Sequence, residues 1–202
     1  MGNIKKKMVT YKRLSNLAIL AFKNGLRLHT DSIVLLNNDS YASSVMLSIL
    51  SMEEFGKYFS LSAYVFYSRT SGYRDEKKED SYIKLLYNHP FKQKACFGRD
   101  GFDMNDKTKV REKINDRFFE NIKQRSVYVG FDRDKGQILY ANKINDPSKI
   151  TKRRANEQVR FLNGLLIDMT DQHVKGITYF DEEEINKILN MELMTKLNNL
   201  ID

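Results

Sequence analysis

The sequence predicts a mainly α fold, a bundle of helices into which one β-hairpin is inserted. The 202 residues include only two prolines and ten glycines. Apolar residues recur at three- and four-residue steps along most of the chain, which is the spacing of an amphipathic helix. Between about residues 126 and 142 this period shortens to about two residues, as in a strand. A chain of this length can bury a sizeable core as one domain.

The first two predicted helices are the longest. One runs from about Thr10 to Leu36, with leucine and alanine at helical spacing. The segment "NNDS" interrupts it, and Asp39 or Ser40 can cap the next helix. That second helix runs from about Tyr41 to Ser68 and is apolar nearly all round. It is therefore predicted to be the central helix of the bundle.

The middle of the chain predicts shorter elements. The polar stretch 69–80 is predicted as a loop, and a third helix covers about 79–97, with Pro90 marking its start or a kink. A fourth helix is predicted over 103–125. Its inner face comprises Ile114, Phe118, Phe119 and Ile122.

The hairpin and the C-terminal helices follow. "SVYVGF" (126–131) and "QILYAN" (137–142) alternate like strands around a turn containing Gly136. A fifth helix is predicted over about 148–172 after Pro147, with Val159, Leu162, Leu166 and Met169 facing inward. A last helix with an acidic first turn, which suits the helix dipole, lies within 180–202. We expect residues 8–175 to form the bundle and 180–202 to pack on it.

The charge balance bears on partners. The formal net charge is +8 and the pI is about 9.4, which favours contact with nucleic acid or another anionic partner. The alternative is a basic protein that binds no nucleic acid. The cations predicted to contact RNA are Lys94, Lys149, Lys152, Arg153 and Arg154.

Other classes of protein fit the sequence poorly. One cysteine cannot form an intrachain disulfide, and without a Cys/His cluster we expect no metal and no cofactor. No Gly-rich phosphate loop, HExxH or GxSxG motif is present. The basic start is not followed by an apolar region, so a secretory signal is not expected. The run 41–67 could span a bilayer, but its central charges would be costly there. We expect a cytoplasmic protein without membrane contact.

Those central charges lie in "SMEEFGK", residues 51–57. They are Glu53, Glu54 and Lys57, and all three project from stripes that should face inward. Glu53 and Lys57 are four residues apart, so their side chains can meet. Buried charges must be paired or lie in a polar pocket. Two interpretations stay open: a structural ion pair that fixes helix packing, or a functional pocket with shifted pKa values.

His89 is the best candidate for chemistry among three histidines. It lies in "NHPFKQK", with Lys92 and Lys94 just after it. A histidine beside cationic side chains can act as acid or base on a phosphodiester. The alternative is an exposed histidine that precedes a proline. His29 and His173 are weaker candidates.

An ordered set of motifs resembles a known family. The stretch 22–57 resembles the opening of the AbiV-type abortive-infection proteins, whose pattern ends in Glu-Glu-x-Gly-Lys. A His-x-x-Lys element and an Arg before a Tyr-Val strand follow, and the resemblance covers about residues 14 to 170. The matching residues are Asn24, Leu28, Asp31, Leu35, Tyr41, Ala42, Ser44, Glu53, Glu54, Gly56, Lys57, His89, Lys92, Arg125, Tyr128 and Val129.

The resemblance implies a HEPN-like helical bundle with a role in bacterial defence against phage. Such proteins are thought to shut down translation in infected cells after sensing a phage product. Many HEPN proteins are metal-independent ribonucleases that act as dimers and carry an Arg-x4-6-His motif. In this sequence no arginine stands at that spacing before His29, His89 or His173.

The resemblance and the charge together predict an abortive-infection effector that binds or cleaves RNA. His89 would serve as acid or base, and Lys92 and Lys57 would stabilise the phosphorane. Support would come from Glu53, Glu54, Asn24 and Asp31. The expected partners are a second copy of the chain, a phage-encoded trigger, and RNA or the ribosome. The alternative is a non-enzymatic regulator that binds a protein or the ribosome through its hairpin and acidic last helix.

Overall fold

The computed structural model describes residues 9–97, 112–131, 133–134, 137–140, 144–175 and 183–199. The chain is mainly α, as the sequence predicts, with one short pair of strands among the described residues. The helices are α1 (Tyr11–Asn37), α2 (Tyr41–Ser71), α3 (Glu76–Leu85), α4 (His89–Phe97), α5 (Phe118–Arg125), α6 (Lys152–Val174), α7 (Glu183–Ile188) and α8 (Met191–Asn199). The strands are β1 (Arg133–Asp134) and β2 (Gln137–Ile138), and a 3-10 turn spans Pro147–Lys149.

Helices α1 and α2 form the centre of the bundle, close to their predicted bounds. Thr10 caps α1 by accepting a hydrogen bond from the backbone N–H of Arg13, at 3.3 Å. Ser40 precedes α2, but its side chain makes no capping hydrogen bond. The ring of Phe22 packs edge-on against those of Phe55 and Tyr58, with centroids 5.5 and 4.9 Å away. These rings are buried and hold the two long helices together.

The segment 69–97 differs from the prediction. Helix α2 continues to Ser71, and α3 begins at Glu76, so the predicted loop 69–80 is wrong over most of its length. Gly72 ends α2 in the left-handed region at φ 64°, and Asp75 caps α3 by accepting from the N–H of Lys78. The predicted third helix is divided by a turn at 86–88, and α4 begins one residue before Pro90.

The buried side chain of Glu79 explains why the polar segment that begins at Glu76 is helical. Glu79 is buried and accepts hydrogen bonds from the Tyr64 hydroxyl at 2.9 Å and the Val9 N–H at 3.1 Å. Arg74 pairs with the same carboxylate, and its guanidinium lies 4.5 Å from the centroid of the Tyr11 ring. Because all of these partners neutralise or hydrogen-bond its carboxylate, Glu79 can be buried although the sequence around it is hydrophilic.

The predicted fourth helix, 103–125, is described only from residue 112. Residues 112–115 are helical, and the chain turns at Asp116 and Arg117 before α5 begins at Phe118. Arg117 has φ 55°, which a continuous helix does not allow. One unbroken helix is therefore wrong over the described part, and 103–111 lies outside it.

The predicted hairpin is present but shorter. Arg133 pairs with Ile138 and Asp134 with Gln137 in antiparallel register, and Gly130 bridges Asn145. Gly136, the predicted turn residue, lies outside the described residues. The strands therefore form nearer the turn than the alternation over 126–131 and 137–142 predicts.

Helix α6 packs on the α1–α2 pair, and α8 packs on α6. The predicted inner face of α6 is buried. Asn163 of α6 donates to the backbone carbonyl of Leu197 in α8, at 2.8 Å. The predicted last helix is divided at 189–190 into α7 and α8. Among the described residues, no helix combines the length and the apolar character that crossing a membrane requires.

Candidate polar site between three helices

A buried carboxylate on α2 gathers polar side chains from two other helices. Glu53 is 1% exposed. Its Oε2 lies 2.6 Å from Nδ1 of His89 and 2.9 Å from Nζ of Lys92. Its Oε1 lies 3.0 Å from Nζ of Lys123 and accepts from Nε2 of Gln93 at 3.2 Å. The cluster therefore joins α2, α4 and α5.

Helix α4 can supply three of these groups because its backbone is in direct contact with α2. A Cβ added to Gly56 would come within 1.8 Å of the backbone oxygen of Lys92, so only glycine permits this approach. His89, Lys92 and Gln93 then share the face of α4 that points at Glu53, at the i, i+3, i+4 spacing of one helical face.

Helix α5 completes the cluster from the other side. Glu120 and Lys123 are three residues apart and their charged atoms lie 2.7 Å from each other. Lys123 is buried because it follows Phe119 and Ile122 on the inner face of the helix. The charges of the two carboxylates and the two ammonium groups balance.

The environment keeps Glu53 ionised. Burial raises the pKa of its carboxyl, but the ammonium of Lys123, the hydrogen bond with His89 and the ammonium of Lys92 outweigh burial and hold the pKa at about 2. The pKa of Glu120 is also lowered: burial opposes this, and the hydrogen bonds from Lys123 and Gln124 outweigh it. Both carboxylates are therefore negative at neutral pH.

His89 is the member of the cluster that reaches solvent, since its side chain is 45% exposed. An ionised carboxylate only accepts hydrogen bonds, so Nδ1 of His89 carries a proton and donates it to Glu53. In the neutral ring, Nε2 is then the basic nitrogen. The arrangement fixes the tautomer and orientation of an accessible imidazole.

The spacing of this cluster would also suit a cation. Ligand atoms of Glu53, His89 and Glu120 lie within 4.8 Å of one another. However, the ammonium groups of Lys92 and Lys123 lie directly against the same carboxylates, where a metal ion would have to displace them. The donor set is therefore already neutralised by the protein's own cations.

Lys57 and Glu54 form a separate pair. Nζ of Lys57 lies 2.6 Å from Oε1 of Glu54, and both side chains are partly exposed. The predicted meeting of Lys57 with Glu53 is wrong, because Glu53 faces α4 and α5 while Lys57 turns back to the residue three before it. The described contacts give neither Glu54 nor Lys57 a place in the cluster.

Asn24 and Asp31 also lie elsewhere among the described contacts. Arg27 donates to the side chains of both, at 2.9 and 2.8 Å, and Arg27 itself is exposed. This is a surface network along α1. The predicted support of the pocket by Asn24 and Asp31 does not follow from these contacts.

The predicted RNA-contacting cations lie on the surface in two places. Lys94 is exposed on α4, on the helix that carries His89. The others lie around the start of α6, where Arg153 and Arg154 both pair with Glu157. The guanidinium of Arg154 also lies 4.6 Å from the centroid of the Phe118 ring. The remaining members of this group are Lys149 and Lys152, both exposed.

Sequence reasoning missed three members of the cluster: Gln93, Glu120 and Lys123. A signal for Lys123 exists in the sequence, because it falls on the same helical stripe as Phe119, Ile122 and Ser126. A lysine on an apolar stripe requires a buried anion. Gln93 falls likewise between Lys92 and the buried Cys96 on the inward face of α4.

The fold and the site together define a class. The resemblance implies a HEPN-like helical bundle, and the chain is a mainly α bundle whose short helix α4 carries the accessible His89. The AbiV model of the HEPN proteins matches residues 13–166, which include every member of the cluster. The chain belongs to the AbiV family of HEPN proteins, which associates it with abortive infection and phage resistance. No curated protein and no solved structure matches the chain.

Proposed function

We propose that the chain is an antiphage abortive-infection effector that shuts down translation by cleaving RNA without a metal ion. The observation that carries the proposal is the half-exposed imidazole of His89, oriented through Nδ1 by a buried, ionised carboxylate. Family membership supports the role in defence. The net charge of +8 supports an anionic substrate.

The proposed reaction is a transesterification within the RNA strand. The 2′-hydroxyl of a ribose gives its proton to Nε2 of His89 while its oxygen bonds to the neighbouring phosphorus. The bond between phosphorus and the 5′-oxygen breaks, and that oxygen takes a proton from solvent. The products are a 2′,3′-cyclic phosphate and a 5′-hydroxyl, so no cofactor is consumed.

Positive charge next to His89 would stabilise the dianionic phosphorane. The ammonium groups of Lys92 and Lys123 each pair with one oxygen of Glu53. We assign these two cations the electrostatic stabilisation of the phosphorane. Glu53 positions both cations and the imidazole. Lys57 is left out of this mechanism because it pairs with Glu54.

The test is cleavage of total RNA and ribosomes by the purified full chain in the presence of EDTA, with and without a lysate of phage-infected cells. We expect His89→Ala to reduce cleavage by about 100-fold or more, the usual loss for a general base. The matched control is His173→Ala on α6, which should cleave like wild type. Equal cleavage by wild type and His89→Ala, or loss of cleavage in EDTA, would contradict the mechanism.

We also propose that the chain acts as a homodimer and responds to a phage-encoded trigger, as the family resemblance implies. Leu17, Leu20 and Val34 are exposed apolar residues that share one face of α1, within about 100° of its circumference. This face supports a contact between two copies. Sedimentation velocity at micromolar concentration tests it, and a monomer there would count against the dimer.

A second candidate function is a non-enzymatic regulator that acts by binding a protein partner or the ribosome. The hairpin region favours it, because Val129, Ile138, Tyr140 and Ile144 are exposed although apolar or aromatic. A phage-protecting chain whose His89→Ala variant still protects, together with a stable complex recovered from infected cells, would favour this alternative.

A further inference from the structure

Two exposed tyrosines flank the part of the polar cluster that α4 and α5 supply, one before α4 and one after α5. Tyr87 is 78% exposed and stands two residues before His89. Tyr128 is 62% exposed and follows the end of α5, which carries Glu120 and Lys123. Single exposed aromatic residues are common on protein surfaces, but their place beside a candidate site makes these two rings candidates for contact with a ligand.

The backbone at both tyrosines is fixed, although the side chains are exposed. The N–H of Tyr87 donates to the carbonyl of Lys84 at 3.1 Å, within the turn that ends α3. The next residue, Asn88, caps α4 by accepting from the N–H of Phe91 at 2.9 Å. The N–H of Tyr128 donates to the carbonyl of Gln124 at 3.0 Å. Each ring therefore extends from an ordered position that is tied to a helix of the site.

Each ring lies a short length of chain away from a member of the cluster. His89 and Lys123 both contact Glu53, so α4 and α5 converge there. Tyr87 is two positions from His89 in the chain, and Tyr128 is five positions from Lys123. Fully extended, these segments span at most about 7 and 18 Å, and the Tyr128–Gln124 hydrogen bond shortens the second.

We infer that Tyr87 and Tyr128 are base-stacking residues of a surface that binds single-stranded RNA across His89, an inference that rests on the proposed function. Unpaired bases expose their faces to aromatic rings, whereas bases inside a duplex are stacked on each other. Lys94 on α4 and Arg125 at the end of α5 are exposed cations on the same two helices. They provide the positive charge that the RNA backbone requires beside such rings.

The experiment measures binding of a fluorescent single-stranded RNA oligonucleotide, and of the same oligonucleotide in a duplex, by anisotropy. It uses the full chain with His89→Ala so that the RNA stays intact. We expect Tyr87→Ala and Tyr128→Ala each to weaken single-strand binding by about 5- to 100-fold, the range for loss of one stacked base. Tyr87→Phe should bind like the unmodified tyrosine, because stacking needs the ring and not the hydroxyl.

The matched control is Tyr67→Ala, a tyrosine that is 67% exposed on α2. It lies 14 residues from Glu53 on one helix, about 21 Å along the axis. This variant should leave binding unchanged. Melting curves of all the alanine variants should match, since the rings are exposed.

The outcomes separate this inference from the proposed function. If the wild-type chain cleaves RNA through His89 but both alanine variants bind like Tyr67→Ala, the stacking surface is wrong and the proposed function stands. Duplex binding as tight as single-strand binding overturns the inference in the same way. If the chain neither binds nor cleaves any RNA, the proposed function fails and the inference fails with it.

Discussion

Glu53 shows why a helix made to be buried carries charge at its centre. A lone buried carboxylate would be protonated or would unfold the helix. Here each oxygen has a cation, and the remaining contacts come from His89 and Gln93. Such a network contributes little net stability compared with apolar packing, but removing one member leaves the others uncompensated. The arrangement is therefore sensitive to the loss of any one of its members.

Replacing Glu53 should have a much larger effect than replacing Lys57. Glu53→Ala leaves the ammonium groups of Lys92 and Lys123 buried without the carboxylate they share, which should cost about 3 to 5 kcal/mol of unfolding free energy. Lys57→Ala removes a partly exposed pair with Glu54, a change of about 1 kcal/mol or less. Urea unfolding of the two variants measures this contrast. Similar losses for both would show that Lys57 belongs to the buried network.

Lowering the pH should remove the stability that the ionised carboxylate of Glu53 contributes. The pKa of Glu53 is about 2 in the folded chain against an ordinary value of 4.5. The unfolded chain therefore binds this proton first as the pH falls. The stability that ionised Glu53 contributes is complete above pH 4.5 and is lost as the pH falls towards 2. Its size is roughly 3 kcal/mol.

The measurement is unfolding free energy against pH for wild type and Glu53→Gln. Other carboxylates also titrate in this window, including Glu120, whose pKa is lowered. The difference between the two proteins isolates Glu53, and it should shrink as the pH falls from about 5 to about 3. A difference that is constant over this window would contradict the ionised state of Glu53.

At the scale of single residues, the sequence predicts that Glu53 is buried but not which residues neutralise it. Periodicity shows that Glu53 faces inward and that it needs a partner. It cannot choose the partner, because residues three and four apart on one helix are both within reach. Lys57 is therefore a suitable partner for Glu53 by spacing, whereas the cations that neutralise it come from α4 and α5.

At the scale of elements, the contact between α2 and α4 decides whether the site exists. Gly56 allows the backbone of α4 at Lys92 to touch α2. The same approach places the face with His89, Lys92 and Gln93 over Glu53. The glycine of the Glu-Glu-x-Gly-Lys motif thus has a steric role, and its first glutamate an electrostatic one.

Gly56→Ala should separate the two helices. The new Cβ would lie 1.8 Å from the Lys92 carbonyl oxygen, so α4 has to move outward. We expect a loss of about 1 to 3 kcal/mol of unfolding free energy, as for other overpacked cores, and loss of the proposed His89-dependent cleavage.

The control for this change is Gly164→Ala in α6, where a Cβ meets nothing within 4 Å. Alanine there should stabilise the helix by roughly 0.5 to 1 kcal/mol. Thermal melting of both variants tests the pair of predictions. A Gly56→Ala protein as stable as wild type would mean that α4 is not held at this distance.

The accuracy of the predicted elements follows their length. The long apolar repeats of α1 and α2 place both helices well. The turn at 116–117 and the bend at 189–190 divide two segments whose periodicity predicts continuous helices, whereas Pro90 indicates a start or a kink in the segment that turns at 86–88. Local periodicity continues across such turns, so it does not reveal them. The start of α3 is missed because its polar residues are held by a buried Glu79 that only the folded chain assembles.

At the scale of the whole molecule, the buried histidine His29 links three helices. Nε2 of His29 lies 2.9 Å from Oδ1 of Asn163, and Asn163 in turn donates to the Leu197 carbonyl. His29 is buried, and its Nδ1 has no hydrogen-bond partner among the described residues. Burial lowers the pKa of His29, and the hydrogen bond with Asn163 offsets this only in part. The ring is therefore neutral at physiological pH.

Mild acid should lower the unfolding free energy of the bundle through protonation of His29 in the unfolded chain. The folded pKa of His29 lies below its ordinary 6.5, so the unfolded chain binds the proton first. Its contribution to stability is present above pH 6.5 and is lost as the pH falls through the folded pKa. Unfolding curves at about pH 7.5 and about pH 5.5 should differ more for wild type than for His29→Gln. An equal pH dependence in the two proteins would contradict a neutral buried His29.

The site as a whole is predictable only in part. The motif Glu-Glu-x-Gly-Lys and the element His-x-x-Lys indicate Glu53, His89 and Lys92 from the sequence alone, and the fold brings these three together. Lys123 lies 70 residues after Glu53 in the chain. Nothing local in the sequence shows that α5 returns to α2, since long-range packing determines it.

The buried Cys96 provides a means of observing whether the site is assembled. It is the single cysteine of the chain, it is buried, and burial raises the pKa of its thiol. Its backbone nitrogen lies 3.2 Å from the position of a Cβ on Gly56, at the contact of α2 with α4. Because disulfide reagents react with the thiolate, the folded chain should resist labelling. The rate of thiol labelling would then report how often α4 opens in the native protein, at a cysteine that the natural sequence already supplies.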